Sequence, residues 1–260
     1  MIAAVITFSH EGAMLAGKLG LKFPEWGIYL HENVPGNFEF QRFPSVFELV
    51  SNVFNDYSGL VFIGPCGIAV RSVAPHLRHK TQDPAVVVVD VMARWAISLV
   101  SGHEGGANDL ALVVGNVLGA EPVISTTTEA LKNLIVGVGC RKGISSAEVV
   151  RAVKETVAQA GLDLTRVRLL SSVDIKSDEQ GLLFASKQLG IPLRFISSEE
   201  IRNCSQEFQQ SEFVMNSVNL PAVAEPSALL AGRRTTLLVR KTIFNGVTIA
   251  VAMENCMSSV

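Results

Sequence analysis

Short apolar runs alternate with amphipathic stretches along this chain, the pattern of α/β layering with mostly parallel strands. In the first half it predicts strands over Ala3–Thr7, Gly27–Leu30, Leu60–Ile63, Ala85–Asp90, Trp95–Leu99 and Pro122–Ser125. Helices are predicted between them at Glu11–Leu19, Val46–Asn52, Gly67–Leu77 and Ala107–Leu118. Val86–Val89 is β-branched throughout and does not alternate, as expected of a strand covered on both faces. A second series begins at Leu134, with strands at Leu134–Val138, Val167–Ser171, Leu193–Ile196, Thr236–Val239 and Val247–Val251. Its helices are expected at Ser146–Ala160, Glu179–Leu189, Ser198–Cys204 and Glu225–Ala231. Ser145 or Ser146 suits an N-cap with Glu148 close behind, and Gly161 suits a C′ stop. The two series divide near Thr126-Thr127-Thr128-Glu129. The expectation is two α/β/α-type domains, 1–128 and 133–260, with mostly parallel sheets and a short linker. Polar, irregular Gln206–Asn219 reads as a long surface loop.

Composition narrows the function classes. The chain has 260 residues, 48 % of them hydrophobic and 18 % charged, so each half can bury a core of its own. A net charge of -2 and the absence of a basic run give no reason to expect nucleic acid or an anionic membrane as partner. The start, Met1-Ile2-Ala3-Ala4, lacks the positive n-region of a signal peptide and reads as a first buried strand. No apolar run reaches the roughly 18 residues of a membrane span. Cys66, Cys140, Cys204 and Cys256 are far apart with no CxxC pair, so free thiols in a reducing cytoplasm are expected, and neither a disulfide framework nor a metal site.

Ligands of open α/β sheets bind beyond the carboxyl ends of the strands, and five segments there carry glycines and polar residues. Gly64-Pro65-Cys66-Gly67 leads into a helix; Gly67 leaves room for a ligand, and Arg71 either reaches a carboxylate or lies on a solvated helix face. His76, Arg78, His79 and Lys80 make either a loop suited to an acidic small molecule or a plain exposed one. Ser101-Gly102-His103-Glu104-Gly105-Gly106-Ala107-Asn108 is the most informative stretch. Its three glycines in five residues weaken helix and strand alike, have no evident packing purpose and expose backbone donors. His103 and Glu104 supply a neutral-pH base and a carboxylate in one loop, the imidazole alternatively serving only as a cap. Ser101 and Ser172 sit in no GxSxG elbow, which argues against a covalent serine. Gly137-Val138-Gly139-Cys140-Arg141-Lys142-Gly143 departs from a dinucleotide fingerprint in its third glycine. Carboxylate binding by backbone N–H groups with Arg141 and Lys142 suits it better. In Ser171–Glu179, Asp178 reads as a helix cap, and Asp174 and Lys176 face either a ligand or each other.

GIAVRSVAPHLRHKTQDPAVVVVD, ISLVSGHEGGANDLA and PVISTTT resemble the N-terminal domain of the cobalt-precorrin-5A hydrolases of cobalamin biosynthesis. VGVGCRKGIS, SSVDIKSDEQGLL, LGIPLRF and VAEPSALLAG resemble the family's C-terminal domain, which also occurs alone in other proteins of the pathway. Many members carry a further domain between these two; here Ser125–Thr128 runs into Leu134 almost directly. The resemblance implies hydrolysis of the ring-A δ-lactone of a cobalt corrinoid with loss of acetaldehyde. The cobalt then arrives inside the tetrapyrrole substrate, and no cofactor or resident metal is expected. On that reading His103 and Glu104 are the catalytic candidates. Gly67, Arg71, Lys80, Ser101, Gly102, Gly105, Gly106, Asn108, Gly139, Arg141, Lys142 and Gly143 are the substrate-binding ones. Other enzymes of the pathway are conceivable partners. A non-catalytic corrinoid carrier competes with the enzyme reading, and a nucleotide-binding regulator stands third.

Overall fold

A computed structural model describes residues 1–204 and 222–255, so Gln206–Asn219 and Cys256 lie outside the described residues. The chain divides into two compact units, Met1–Thr126 and Thr127–Val260.

In the first unit, β1 (Ala3–Thr7), β2 (Gly27–His31), β3 (Gln41–Phe43), β4 (Gly59–Ile63), β5 (Ala85–Val89), β6 (Trp95–Val100) and β7 (Glu121–Val123) form one sheet in the order β3-β2-β1-β4-β5-β6-β7. All neighbours run parallel except β5 and β6, which are antiparallel, so β6 and β7 point opposite to the rest. Side-chain alternation splits the core between the two faces of the sheet. Val5, Val61, Ile63, Val87 and Val89 pack under α1 (His10–Lys22) and α4 (Ala107–Leu118). Ile6, Leu60, Phe62, Val86 and Val88 pack under α2 (Val46–Val53) and α3 (Cys66–Val73). Each fully buried side chain of this kind is worth about 1.5–3 kcal/mol. The strand Gln41–Phe43 escapes the sequence pattern because three residues at a sheet edge carry no alternation to read.

The second unit begins with α5 (Thr127–Ala130) and holds a sheet ordered β10-β9-β8-β12-β11. Its strands are β8 (Leu134–Cys140), β9 (Val167–Val173), β10 (Leu193–Ile196), β11 (Thr235–Phe244) and β12 (Val247–Glu254). Here the expectation of mostly parallel pairing needs correcting: β8, β9 and β10 are parallel, but β12 is antiparallel to both β8 and β11. Asn245 and Gly246 join β11 to β12 with φ of 32° and 87°. Asn-Gly with both φ positive is the two-residue turn that matches strand twist, so the reversal was written in the sequence. On one face α6 (Ser146–Gln159) and α7 (Gln180–Leu189) bury Val136, Val138, Leu170 and Ile249. On the other, α8 (Ser198–Asn203) and α9 (Ala224–Leu230) cover Ile135, Leu169 and Ala252. Ser145 is the cap of α6 in a reciprocal box with Glu148, and Gly161 takes φ of 67° just past its end. Glu179, not Asp178, stands at the N-cap position of α7.

Candidate functional site

The reversal of β6 decides which candidates can meet. Ile63 pairs with Val89, so Gly64 to Arg71 lie at the carboxyl end of the parallel strands. Val100 pairs with Val86, so Ser101–Gly106 emerge at the opposite, amino end of those strands. At roughly 3.3 Å per residue, the length of β5 puts about 13 Å between the two ends. Gly67 and Arg71 therefore do not join Lys80 and the Ser101–Asn108 loop. The Arg71 guanidinium instead folds back beside Gly67, 3.5 Å from where a Cβ would stand.

At the amino end the loops on either side of β5 and β6 come together. Lys80 Nζ lies 2.5 Å from Glu104 Oε1, with both side chains substantially exposed. The carboxyl of Glu104 is held below its ordinary range, chiefly by the hydrogen bond from Lys80. That lowering makes it a weaker base. His103 beside it is exposed. Asn108 is buried: its Oδ1 accepts from Ser98 Oγ at 2.8 Å and its Nδ2 donates to Thr126 Oγ1 at 3.0 Å. It thus ties β6, α4 and the chain after β7 together, a positioning role more than a contact surface.

The glycines of this loop have packing reasons after all, contrary to the reading of the sequence. A Cβ on Gly102 would stand 2.6 Å from Thr126 Cγ2, and one on Gly105 would stand 2.3 Å from Ser101 Cβ. Gly106, the N-cap of α4, has φ of 85°, where a side chain is strained. The loop carbonyls of Ser101 and Gly102 accept the N–H groups of Ala107 and Asn108. Among the described residues, the N–H groups of Gly105 and Gly106 have no such partner. Ser101 itself is held at φ of 60° with its hydroxyl buried and without a hydrogen-bond partner. A non-glycine residue in that region is uncommon, and sequence reasoning had no signal for it.

The remaining loop histidines bind neighbours. His76 Nε2 is 3.3 Å from Ser51 Oγ, and its ring lies against Phe54. His79 Nδ1 is 2.8 Å from Thr81 Oγ1. The backbone N–H of Arg78 donates to both Asp83 carboxylate oxygens at 3.0 Å. That carboxylate fixes the loop, and the sequence reading, which weighed only the loop's cations, missed it.

In the second unit, Arg141, Lys142 and Gly143 stand at the carboxyl end of β8. The Arg141 N–H donates to Gly246 O at 3.0 Å, and its guanidinium lies 3.6 Å from Glu148. Lys142 is exposed. The N–H of Gly143 is already engaged: it donates to both oxygens of Glu179, each at 3.1 Å. The Gly143 N–H is thus already committed within the protein, while the side chains of Arg141 and Lys142 are exposed. Gly139 is buried, with Val223 and Thr248 at ordinary contact distance from its Cβ position. Lys176 lies 3.9 Å from Glu179, and Asp174 accepts a short hydrogen bond from Ser198. Neither therefore pairs with the other. Burial pushes the Cys140 thiol up to about 11, which leaves it a poor nucleophile.

Comparison with known proteins agrees with both halves. Residues 48–129 match the family described as Cobalamin synthesis G N-terminal, and residues 134–252 match Cobalamin synthesis G C-terminus. A cobalt-precorrin-5A hydrolase of Priestia megaterium is 24 % identical over 353 aligned positions, covering 96 % of this chain and 94 % of the relative. With 260 residues here, that relative carries a stretch that this chain lacks. A cobalt-precorrin-5A hydrolase of Salmonella typhimurium is 25 % identical over 78 % of this chain and 84 % of its own length. Among solved structures, a cobalamin biosynthesis protein G homologue from Sulfolobus solfataricus is 20 % identical, covers 98 % of this chain and 97 % of its own, and has a TM-score of 0.38.

Proposed function

This chain belongs to the cobalamin synthesis G family, and from that premise we propose that it is a cobalt-precorrin-5A hydrolase. One observation carries the reading: both family halves stand in order in one chain that aligns almost end to end with a hydrolase of that name. The reaction consumes one water. Its oxygen bonds to the lactone carbonyl carbon, and collapse of the tetrahedral oxyanion breaks the acyl–oxygen bond to leave a carboxylate and a hydroxyl. Deprotonation of that hydroxyl breaks the neighbouring carbon–carbon bond. Acetaldehyde departs, and the conjugated ring keeps the electron pair until it is protonated.

In this chain we assign the base to His103, which is exposed beside a carboxylate already committed to Lys80. The N–H groups of Gly105 and Gly106 are the donors for the oxyanion. Lys80, Arg141 and Lys142 answer the carboxylates around the macrocycle. Ser101, Gly102 and Asn108 shape the reacting loop, and Gly139 and Gly143 shape the cationic one. Gly67 and Arg71, at the other end of their sheet, are left out of the reacting group. Cobalt comes and goes with the substrate. No helix among the described residues is long and apolar enough to cross a membrane. Free thiols at Cys66, Cys140 and Cys204 fit a reducing cytoplasm.

The stretch present in the Priestia relative and missing here favours a second reading, a corrinoid carrier without catalysis. Purified protein mixed with cobalt-precorrin-5A separates the two. The hydrolase releases acetaldehyde stoichiometrically with ring-opened product, whereas a carrier binds the corrinoid and releases none.

A further inference from the structure

The first turn of α7 clamps the cationic loop of the second unit. Glu179 caps the loop rather than its own helix: both carboxylate oxygens accept the N–H of Gly143, while α7 receives no side-chain cap from it. Its side chain is only 9 % exposed and lies 3.9 Å from the Lys176 ammonium, itself 18 % exposed. Two residues on, Gly181 brings the helix against the same loop. A Cβ there would stand 2.1 Å from Ile144 O and 2.9 Å from Ile144 C, so no larger residue fits without backing α7 away. Gly143 sits between these contacts at φ of 74°, the left-handed conformation that closes the loop after Lys142.

We infer that Glu179 is a positioning residue for substrate binding: it holds the Arg141–Gly143 loop in the shape that presents Arg141 and Lys142 to carboxylates of the corrinoid. This rests on the reading that those two cations bind the substrate. The physical argument is that a loop with two flexible cations and a left-handed glycine has many conformations when free. Pinning its N–H to a nearly buried carboxylate removes most of them before the ligand arrives, so less ordering is lost on binding. Lys176 offsets the Glu179 charge, so the clamp adds little repulsion against an anionic ligand.

The test is affinity for cobalt-precorrin-5A, measured by titration on the full chain. Glu179→Ala should weaken binding about tenfold, on the order of one lost hydrogen bond to a charged group. Glu179→Asp keeps the charge but is one methylene too short to reach Gly143, so it should lose as much; it also serves if the alanine variant fails to fold. Glu179→Gln keeps an acceptor at the right distance and should recover most of the affinity. In an Arg141→Ala, Lys142→Ala background, Glu179→Ala should cost nothing further, because its effect passes through those side chains. A full additional tenfold loss in that background would overturn the positioning role. So would wild-type affinity in Glu179→Ala when the Arg141→Ala, Lys142→Ala protein binds weakly. Wild-type affinity in the Arg141→Ala, Lys142→Ala protein would instead overturn the reading of the loop, and this inference with it.

Discussion

Lys80 and Glu104 meet at 2.5 Å and so tie the loop before β5 to the loop after β6. The pair is exposed and worth little to overall stability. Its consequence is chemical, because Glu104 is charged through the whole neutral range. Its carboxyl is lowered by Lys80 first of all, so the charged pair persists at neutral pH and is lost only as pH falls through that lowered value. Glu104→Gln should therefore change acetaldehyde release by less than about tenfold, well short of the 10²–10⁴ that a general base supplies. A loss as large as that of His103→Ala would make the carboxylate the base, or the two a coupled pair.

His103→Ala should lower the rate of acetaldehyde release by about 10²–10⁴-fold while cobalt-precorrin-5A still binds. His103 is exposed and stands two and three residues before Gly105 and Gly106, whose N–H groups have no partner among the described residues. Steady-state turnover paired with a binding titration separates loss of chemistry from loss of affinity. Normal turnover would leave this loop as a binding element only.

The strands and helices were legible because their signals are local. Val86–Val89 shows no alternation and is buried on both faces; Ala107–Leu118 is flanked by glycine at both ends and forms a helix over that span. The direction of β6 was harder, since it depends on where a strand goes rather than on what it contains. A signal existed all the same. Only Asp90–Arg94 separates β5 from β6, far too short for a parallel crossover of about a dozen residues. Asp90 closes that turn by accepting the N–H groups of Arg94 and Trp95. Missing that reversal grouped Arg71 with the Ser101–Asn108 loop, which the fold sets at the other end of the sheet, beside the loop that precedes β5. The engaged N–H of Gly143 and the unpaired hydroxyl of Ser101 depend on tertiary approach, for which no sequence spacing is a guide.

Arg141→Ala together with Lys142→Ala should weaken corrinoid binding by about 1–3 kcal/mol per lost charge-assisted contact, with the fold intact. Both side chains are exposed, and the only ion pair between them and an acid among the described residues is the 3.6 Å contact of Arg141 with Glu148. Calorimetric titration of the folded double variant checks this. Unchanged affinity would make the loop structural.

Gly137 and Gly139 lie two apart on β8 and so face the same way, yet their substitution should have opposite outcomes. A Cβ on Gly137 would stand 1.9 Å from Ala224 O and 2.9 Å from Ala228 Cβ, both in α9. The first contact is backbone and cannot rotate aside, so α9 must lift off the strand. That movement would disturb the seating of Ser227, whose Oγ donates to Ser171 O and Ala224 O, and of buried Glu225, which accepts the N–H of Lys241. Overpacking of this kind costs about 1–3 kcal/mol, occasionally more. Gly137→Ala should lower the urea midpoint accordingly. A Cβ on Gly139 meets Val223 no closer than 3.4 Å, an ordinary contact, so Gly139→Ala should stay within about 0.5 kcal/mol of wild type. With the fold undisturbed, its affinity for cobalt-precorrin-5A then reports on the ligand alone. Weakened binding would keep Gly139 in the substrate site, and unchanged binding would remove it and leave Arg141 and Lys142 as that loop's contacts.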